Sequence, residues 1–230
     1  LPLSSVYPID QAVVGTYQGL ELLNYHGSFH SGGQLRGVLD SYRFIEQDDR
    51  KAIWASHPYR GIYRMRLAAD RQSYQADLFT KKNGLPSDYQ NYVFKIKDQV
   101  VFATEKGIYK YDYGKHVFVP AVDFKVFDGL TIRYLKEDQD GNIWFCTNKY
   151  VGVAQFDPKG KTYQLVKFPE MEGMNTSGFD HINTYDKNNI YIVAEKGIIH
   201  LNYEKYIKEA RKPTVLLSQV TVKSSHDRTI

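Results

Sequence analysis

A single cysteine, Cys146, stands in 230 residues. That excludes an intramolecular disulfide and any metal cluster built on several thiolates. Methionine is scarce at 3 and tryptophan at 2. No apolar run approaches the ~20 residues that a membrane-spanning helix needs. An excess of one charge is also missing, since 30 Lys+Arg face 26 Asp+Glu for a net charge of +4. The basic residues are scattered, so a pI of 8.9 gives no reason to expect a nucleic-acid partner. Long stretches of 3.6-residue periodicity are lacking, which disfavours a helical solenoid. The chain opens at Leu1 without an initiator Met or a signal peptide, and is expected to be a mature protein or a fragment.

Tyrosine is what the chain has in plenty: 19 Tyr accompany 12 Phe. Both favour strands. With 42% hydrophobic and 24% charged residues, a globular all-β protein is expected.

One pattern recurs along the chain. It reads Val13-Val14-Gly15-Thr16 before Gly19-Leu20, Ile53-Trp54-Ala55-Ser56 before Gly61-Ile62-Tyr63, Val100-Val101-Phe102-Ala103-Thr104 before Gly107-Ile108-Tyr109, Ile143-Trp144-Phe145-Cys146-Thr147 before Gly152-Val153, and Ile190-Tyr191-Ile192-Val193-Ala194 before Gly197-Ile198-Ile199. The anchoring glycines are spaced by 42, 46, 45 and 45 residues. A period of that size built from short strands predicts a β-propeller with about four antiparallel strands per blade. About five blades then fill residues 1–202.

Within each unit a first strand (42–46, 91–95, 131–135, 181–185) leads through an Asp/Asn/Gly-rich turn into the motif strand. A short turn ends at the glycine, the third strand follows, and a more polar fourth strand (75–80, 162–167) forms the outer edge. The small residues Gly15, Ala55, Ala103, Cys146 and Val193 are expected where blades crowd together. Residues 203–212 read as a charged linker. The run at 213–230 begins Pro213-Thr214-Val215-Leu216-Leu217 and starts a strand of something else. With no closing strand apparent, the chain is expected to be a piece of a larger propeller.

The units resemble the two-component regulator propeller repeat. Gly84-Leu85-Pro86-Ser87, Asp138-Gln139-Asp140-Gly141-Asn142-Ile143-Trp144 and Gly107-Ile108-Tyr109-Lys110-Tyr111 match its pattern, and the run from Lys212 is similar to the start of the triple-tyrosine β-sandwich that follows such propellers. Only one unit carries the full Asp-x-Asp-Gly-Asn-Ile-Trp, and the first unit lacks Trp. The resemblance implies the periplasmic sensor region of a bacterial inner-membrane regulator. It implies input only, without kinase, receiver or DNA-binding chemistry. Its partners would be an oligosaccharide or other small molecule, the neighbouring blades and sandwich, and a second copy in a homodimer. The membrane would be met only through the parent protein.

No catalytic constellation emerges: HExxH, GxSxG and a P-loop are all missing, and Val38 stands where the spacing Gly32–Gly37 would require Lys. The Asp138–Asn142 run invites a calcium loop, but an EF-hand needs Gly at position six and Glu at twelve. Ile143 and Lys149 stand there, so a turn is expected. His26 and His30 are four apart in the Gly/Ser-rich stretch 27–33, which reads most simply as a loop, and with His57 and His116 they do not converge on a zinc set. No metal, cofactor or catalytic residue is expected. Asn175-Thr176-Ser177 is a glycosylation sequon with meaning only in a secreted eukaryotic protein.

Binding residues are sought in the turns between second and third strands, which a propeller gathers on one face. Two turns are long and aromatic, His57-Pro58-Tyr59-Arg60 and Asn148-Lys149-Tyr150-Val151. His57, Tyr59, Arg60, Asn148, Lys149 and Tyr150, with Tyr17 and Gln18 of the first unit, are the candidate ligand-binding residues. Rings stack on sugars or apolar partners, and Arg, Lys and Asn add hydrogen bonds. The leading expectation is an extracytoplasmic ligand-sensing propeller segment of a transmembrane regulator. A WD40-like interaction scaffold and, further off, a polysaccharide-active enzyme are the alternatives.

Overall fold

The computed structural model describes residues 11–37, 39–69, 73–174 and 179–209. They form eighteen strands in five antiparallel sheets, each a meander. Sheet one holds β1 (Gln11–Thr16), β2 (Gly19–Tyr25) and β3 (Phe29–Gln34). Sheet two holds β4 (Ile45–Gln47), β5 (Ile53–His57), β6 (Gly61–Leu67) and β7 (Tyr74–Phe79). Sheet three holds β8 (Tyr92–Ile96), β9 (Gln99–Thr104), β10 (Gly107–Asp112) and β11 (Val117–Pro120). Sheet four holds β12 (Ile132–Glu137), β13 (Ile143–Thr147), β14 (Val151–Asp157) and β15 (Thr162–Lys167). Sheet five holds β16 (Ile182–Asp186), β17 (Asn189–Ala194) and β18 (Gly197–Leu201).

These are five blades of a β-propeller, as the repeat predicts. The three middle blades have four strands. Among the described residues the first blade has the equivalents of strands two to four, and the last those of strands one to three. The first strand expected for blade one, the sandwich onset at 213–230 and the sequon at 175–177 lie outside the described residues.

The core lies between blades, because alternate side chains of one strand face opposite neighbours. Ile53 and Ala55 pack towards blade one with Val13 and Leu20. Trp54, between them, faces blade three with Phe102, Tyr111 and Phe118. Its ring centroid lies 5.2 Å from Phe102 and 5.1 Å from Tyr111. A buried indole also needs an acceptor for its N–H. Asp48 Oδ2 takes the Trp54 Nε1–H at 2.6 Å while Oδ1 accepts the Arg50 and Ala52 amides of the same turn. Asp138 does the same for Trp144 at 3.0 Å and for the amides of Asp140 and Asn142. The shared spacing of Asp six residues before Trp is therefore a clasp between turn and core, with Lys51 or Gly141 at positive φ between them, and the Asp138 carboxylate is committed to it.

The anchoring glycines serve close approach. Gly61 has φ 108°, and a Cβ there would stand 2.1 Å from the Phe79 carbonyl oxygen. Gly152 keeps an ordinary φ, yet a Cβ would meet the Phe145 ring at 2.6 Å and Val166 O at 2.9 Å.

The small position needs one correction. Thr16, His57, Thr104 and Ala194 pair with the anchoring glycines, so the residues before them are equivalent: Gly15, Ser56, Ala103 and Val193, with Cys146 before Thr147. Ser56, not Ala55, fills this position in blade two, because His57 belongs to the strand and not to the turn. Crowding is real there. A Cβ on Gly15 would lie 2.8 Å from Tyr42 O, and Ser56 Oγ accepts the Val93 amide of the next blade at 2.6 Å.

Two further segments differ from expectation. The stretch 27–33, read as a loop, is a turn followed by most of β3; its small exposed residues carry no apolar signal, and the strand sits at a sheet edge with a register shift opposite Leu22/Leu23. Within 203–212, helix α1 (Tyr203–Lys208) forms, capped by Asn202 Oδ1 accepting the Lys205 amide. Tyr203 is buried against Trp144, with ring centroids 5.0 Å apart. In blade three the outer strand supplies the corresponding ring, Phe118 on Trp54. No helix of the described residues is long and apolar enough to cross a membrane.

Candidate functional site

The meander sends second-to-third-strand turns and blade-to-blade connections to one face, here the upper face. Hydrogen bonds tie them together: the Pro58, Lys106 and Lys149 carbonyls accept the amides of Gln90, Gly129 and Gly173. Those amides belong to the connections leading into the following blade.

The turns share a local device. Thr16, Thr104 and Thr147 each end a motif strand, accept the amide two residues on through Oγ1, and donate to the carbonyl closing the turn. In blade two the residue is His57. Its Nδ1 accepts the Tyr59 amide at 3.1 Å, reproducing the threonine clasp. Nε2 therefore carries the proton and faces Asp40 Oδ1 at 3.2 Å. The imidazole is buried, at 8% exposure, and both nitrogens are engaged.

Asp40 is a hub. Its Oδ2 accepts the Tyr63 hydroxyl at 2.7 Å and Arg60 at 3.1 Å, and Oδ1 accepts the Ser41 amide at 2.9 Å. Burial pushes its carboxyl up, but the Tyr63 and Ser41 hydrogen bonds, with the electrostatic pull of the His57 ring and Arg60, hold it below the ordinary Asp value. On this support Tyr59 stands 73% exposed.

The structure thus brings His57, Tyr59 and Arg60 together. Asn148 and Lys149 lie exposed on blade four. Tyr150 is half-buried against Phe145 with Lys167 Nζ over its ring, and its hydroxyl is buried with no hydrogen-bond partner. Tyr150 is thus mainly a packing residue. Tyr17 is 92% exposed, and the Gln18 carbonyl accepts Gln34 Nε2. Cys146 is buried, and desolvation pushes its thiol well above the ordinary value.

Sequence reasoning missed the axis. Phe44, Tyr92, Tyr134 and His181 stand opposite the small residue of their blades. Tyr134 lies within ring-contact distance of Phe44, at 6.2 Å, and of His181, at 5.6 Å. Aligning the first strands on the small position would have shown this ring-bearing position in every blade from two to five. Below it a cavity of about 700 Å³ opens between first strands, lined by Phe44, Phe94 and Tyr134 with Glu46, Lys95 and Lys136. Burial raises the Glu46 carboxyl despite Lys95 and Lys136. Above the ring, Arg43 meets Phe179, and Arg133 pairs with Asp180 at 2.7 Å.

The model of the two-component regulator propeller family matches residues 127–149, from the connection into blade four through its Asp–Trp clasp. No curated protein matches the chain. Among solved structures, the extracellular domain of BT3049 from B. thetaiotaomicron, assigned to a hybrid two-component system, superposes with TM-score 0.60 at 17% identity, over 94% of this chain and 31% of that one. A second such domain from that organism, BT4673, gives TM-score 0.52 at 16% identity over 84% and 28%. PorZ of Porphyromonas gingivalis, a surface component of the type-IX secretion system, gives 0.53 at 13% over 85% and 31%. The chain spans about a third of the length of these structures, and at such identities the likeness is one of fold. Residues 127–149 match the two-component regulator propeller repeat, and the blades around them carry the propeller fold of those extracellular domains.

Proposed function

We propose that this propeller is an extracytoplasmic binding segment of a bacterial transmembrane signal-transduction regulator, and that it takes an oligosaccharide on its upper face. The observation that carries the reading is Tyr59: an exposed ring beside a support of buried His57 and half-buried Asp40, on the face that also exposes Tyr17, Tyr89 and Phe179. A ring on a turn whose backbone is held has only its two side-chain torsions to order on stacking against a sugar. Binding would act mechanically, favouring one arrangement of the parent protein over another by its differential affinity. The site speaks against turnover, since His57 has no free nitrogen to serve as a base and Cys146 is buried as a thiol.

Calorimetric titration with a panel of neutral and acidic oligosaccharides tests this. Ring stacking of roughly 0.5–1.5 kcal/mol predicts that Tyr59→Ala weakens binding about two- to twelvefold with unchanged melting temperature. Tyr150→Ala should instead lower stability. A panel without any binder, or a Tyr59→Ala protein of unaltered affinity, defeats the proposal. Capture of a defined protein partner that Tyr59→Ala abolishes would favour the scaffold reading.

A further inference from the structure

The geometry points to a carboxylate-binding site at the upper mouth of the propeller axis, centred on the Arg43 guanidinium. It rests on the upper-face reading above and specifies the ligand chemistry there. Three rings from three blades surround this guanidinium: Phe44 of blade two at 5.4 Å, Tyr92 of blade three at 5.9 Å and Phe179 before blade five at 5.3 Å. Blades two, three and five can meet one side chain only near the axis. Arg43 is nonetheless exposed, and it forms no ion pair with a carboxylate among the described residues.

Cation–π contacts hold the plane of the guanidinium but leave its N–H edges unused. Those edges form the planar fork that matches a carboxylate. The surrounding charge agrees. The charged groups acting on Tyr92 are Arg43, Arg133 and Asp180. Arg133 and Asp180 pair with one another at 2.7 Å, which leaves Arg43 as the cation there without a carboxylate partner among the described residues. The mouth therefore takes a carboxylate at Arg43, with an apolar or ring-shaped body lying against Phe179, which is 78% exposed. Beside Tyr92, the side chain of Asn91 is fully buried and its Oδ1 has no hydrogen-bond partner.

Two matched pairs of probes test the site. Glucuronate is compared with glucose, and benzoate with benzyl alcohol, by NMR titration of the Arg43 side-chain Nε–H. Each carboxylate should bind at least about tenfold tighter than its neutral counterpart, and the preference should weaken as salt rises. Arg43→Gln should abolish the preference while leaving the circular dichroism spectrum unchanged. Arg43→Lys keeps charge without the fork and should retain only part of it. Equal binding of neutral and charged probes, no carboxylate binding, or an unchanged preference in Arg43→Gln each overturns the inference. Saccharides that bind regardless of charge and of Arg43 would leave the function proposed above intact while removing this site. Carboxylates that bind at Arg43 when no oligosaccharide binds would do the reverse.

Discussion

Replacing Asp40 tests whether the Tyr59 turn stands on a built support. In Asp40→Ala, the Nε2–H of His57 loses its acceptor at 8% exposure, which costs about 1–3 kcal/mol. The half-buried Tyr63 hydroxyl loses its 2.7 Å partner, adding up to about 1 kcal/mol. The Arg60 pair adds little, because Arg60 is 63% exposed. A loss of about 1–4 kcal/mol follows, or roughly 2–16 °C in melting temperature for a chain of this size. The pH dependence has a definite sign. Asp40 titrates below its ordinary value when folded, so its contribution is complete above about pH 4 and is lost as pH falls through the lowered value. Urea unfolding of wild type and Asp40→Asn should show a constant gap from pH 8 to 5 that closes below pH 4. A gap that persists at pH 3, or an alanine cost under about 0.5 kcal/mol, would refute the support.

Glu46 should behave with the opposite sign. Burial raises its carboxyl in the fold, so the native state binds the proton more tightly and stability falls as pH rises from about 4 through the raised value. Glu46→Gln should therefore stabilise at pH 7, with a benefit that vanishes near pH 4 in the same urea series. Gly61→Ala meets both a positive φ and a carbonyl oxygen at 2.1 Å, whereas Gly197 has φ 141° and nothing within 4 Å. Gly61→Ala should be the more damaging by at least about 1 kcal/mol, and similar melting temperatures for the two variants would contradict the close approach.

The architecture was legible because its signals are local. Each Asp–Trp clasp lies within seven residues, and the anchoring glycine closes the turn after the motif strand in blades one, two, three and five, whereas in blade four Tyr150 closes it and Gly152 pairs with Phe145 two residues further on. The blade count came from that spacing alone. Local reading erred where tertiary contact decides. His57 looked like a turn residue because a buried polar side chain at a strand end has no pattern of its own. Only the register opposite Gly61, and Asp40 waiting 17 residues upstream, assign it to the strand. The exposed strand β3 was hidden for the converse reason: at an edge, pairing to β2 holds Ser31, Gly32 and Gly33 extended without any apolar alternation.

The candidate site divides along the same line. Tyr59 and Arg60 were found because a long aromatic turn is a feature of contiguous sequence. Arg43, Tyr92, Arg133 and Phe179 were not, since each stands alone in its own unit, separated from the next by 41 to 49 residues. A propeller converts such periodic isolation into proximity, because equivalent first-strand positions are the ones that converge on the axis. The partial match of these positions explains the chemistry as well. Where the units agree, they build a ring of aromatic or imidazole side chains at Phe44, Tyr92, Tyr134 and His181. Where they disagree, one residue before, they place Arg43, Asn91, Arg133 and Asp180. A structural position would tend to one residue type under the same packing in every blade. Two guanidiniums, one amide and one carboxylate around a common axis instead leave a charge that a ligand can meet, which is why the axis mouth rather than a single turn is where specificity should be sought.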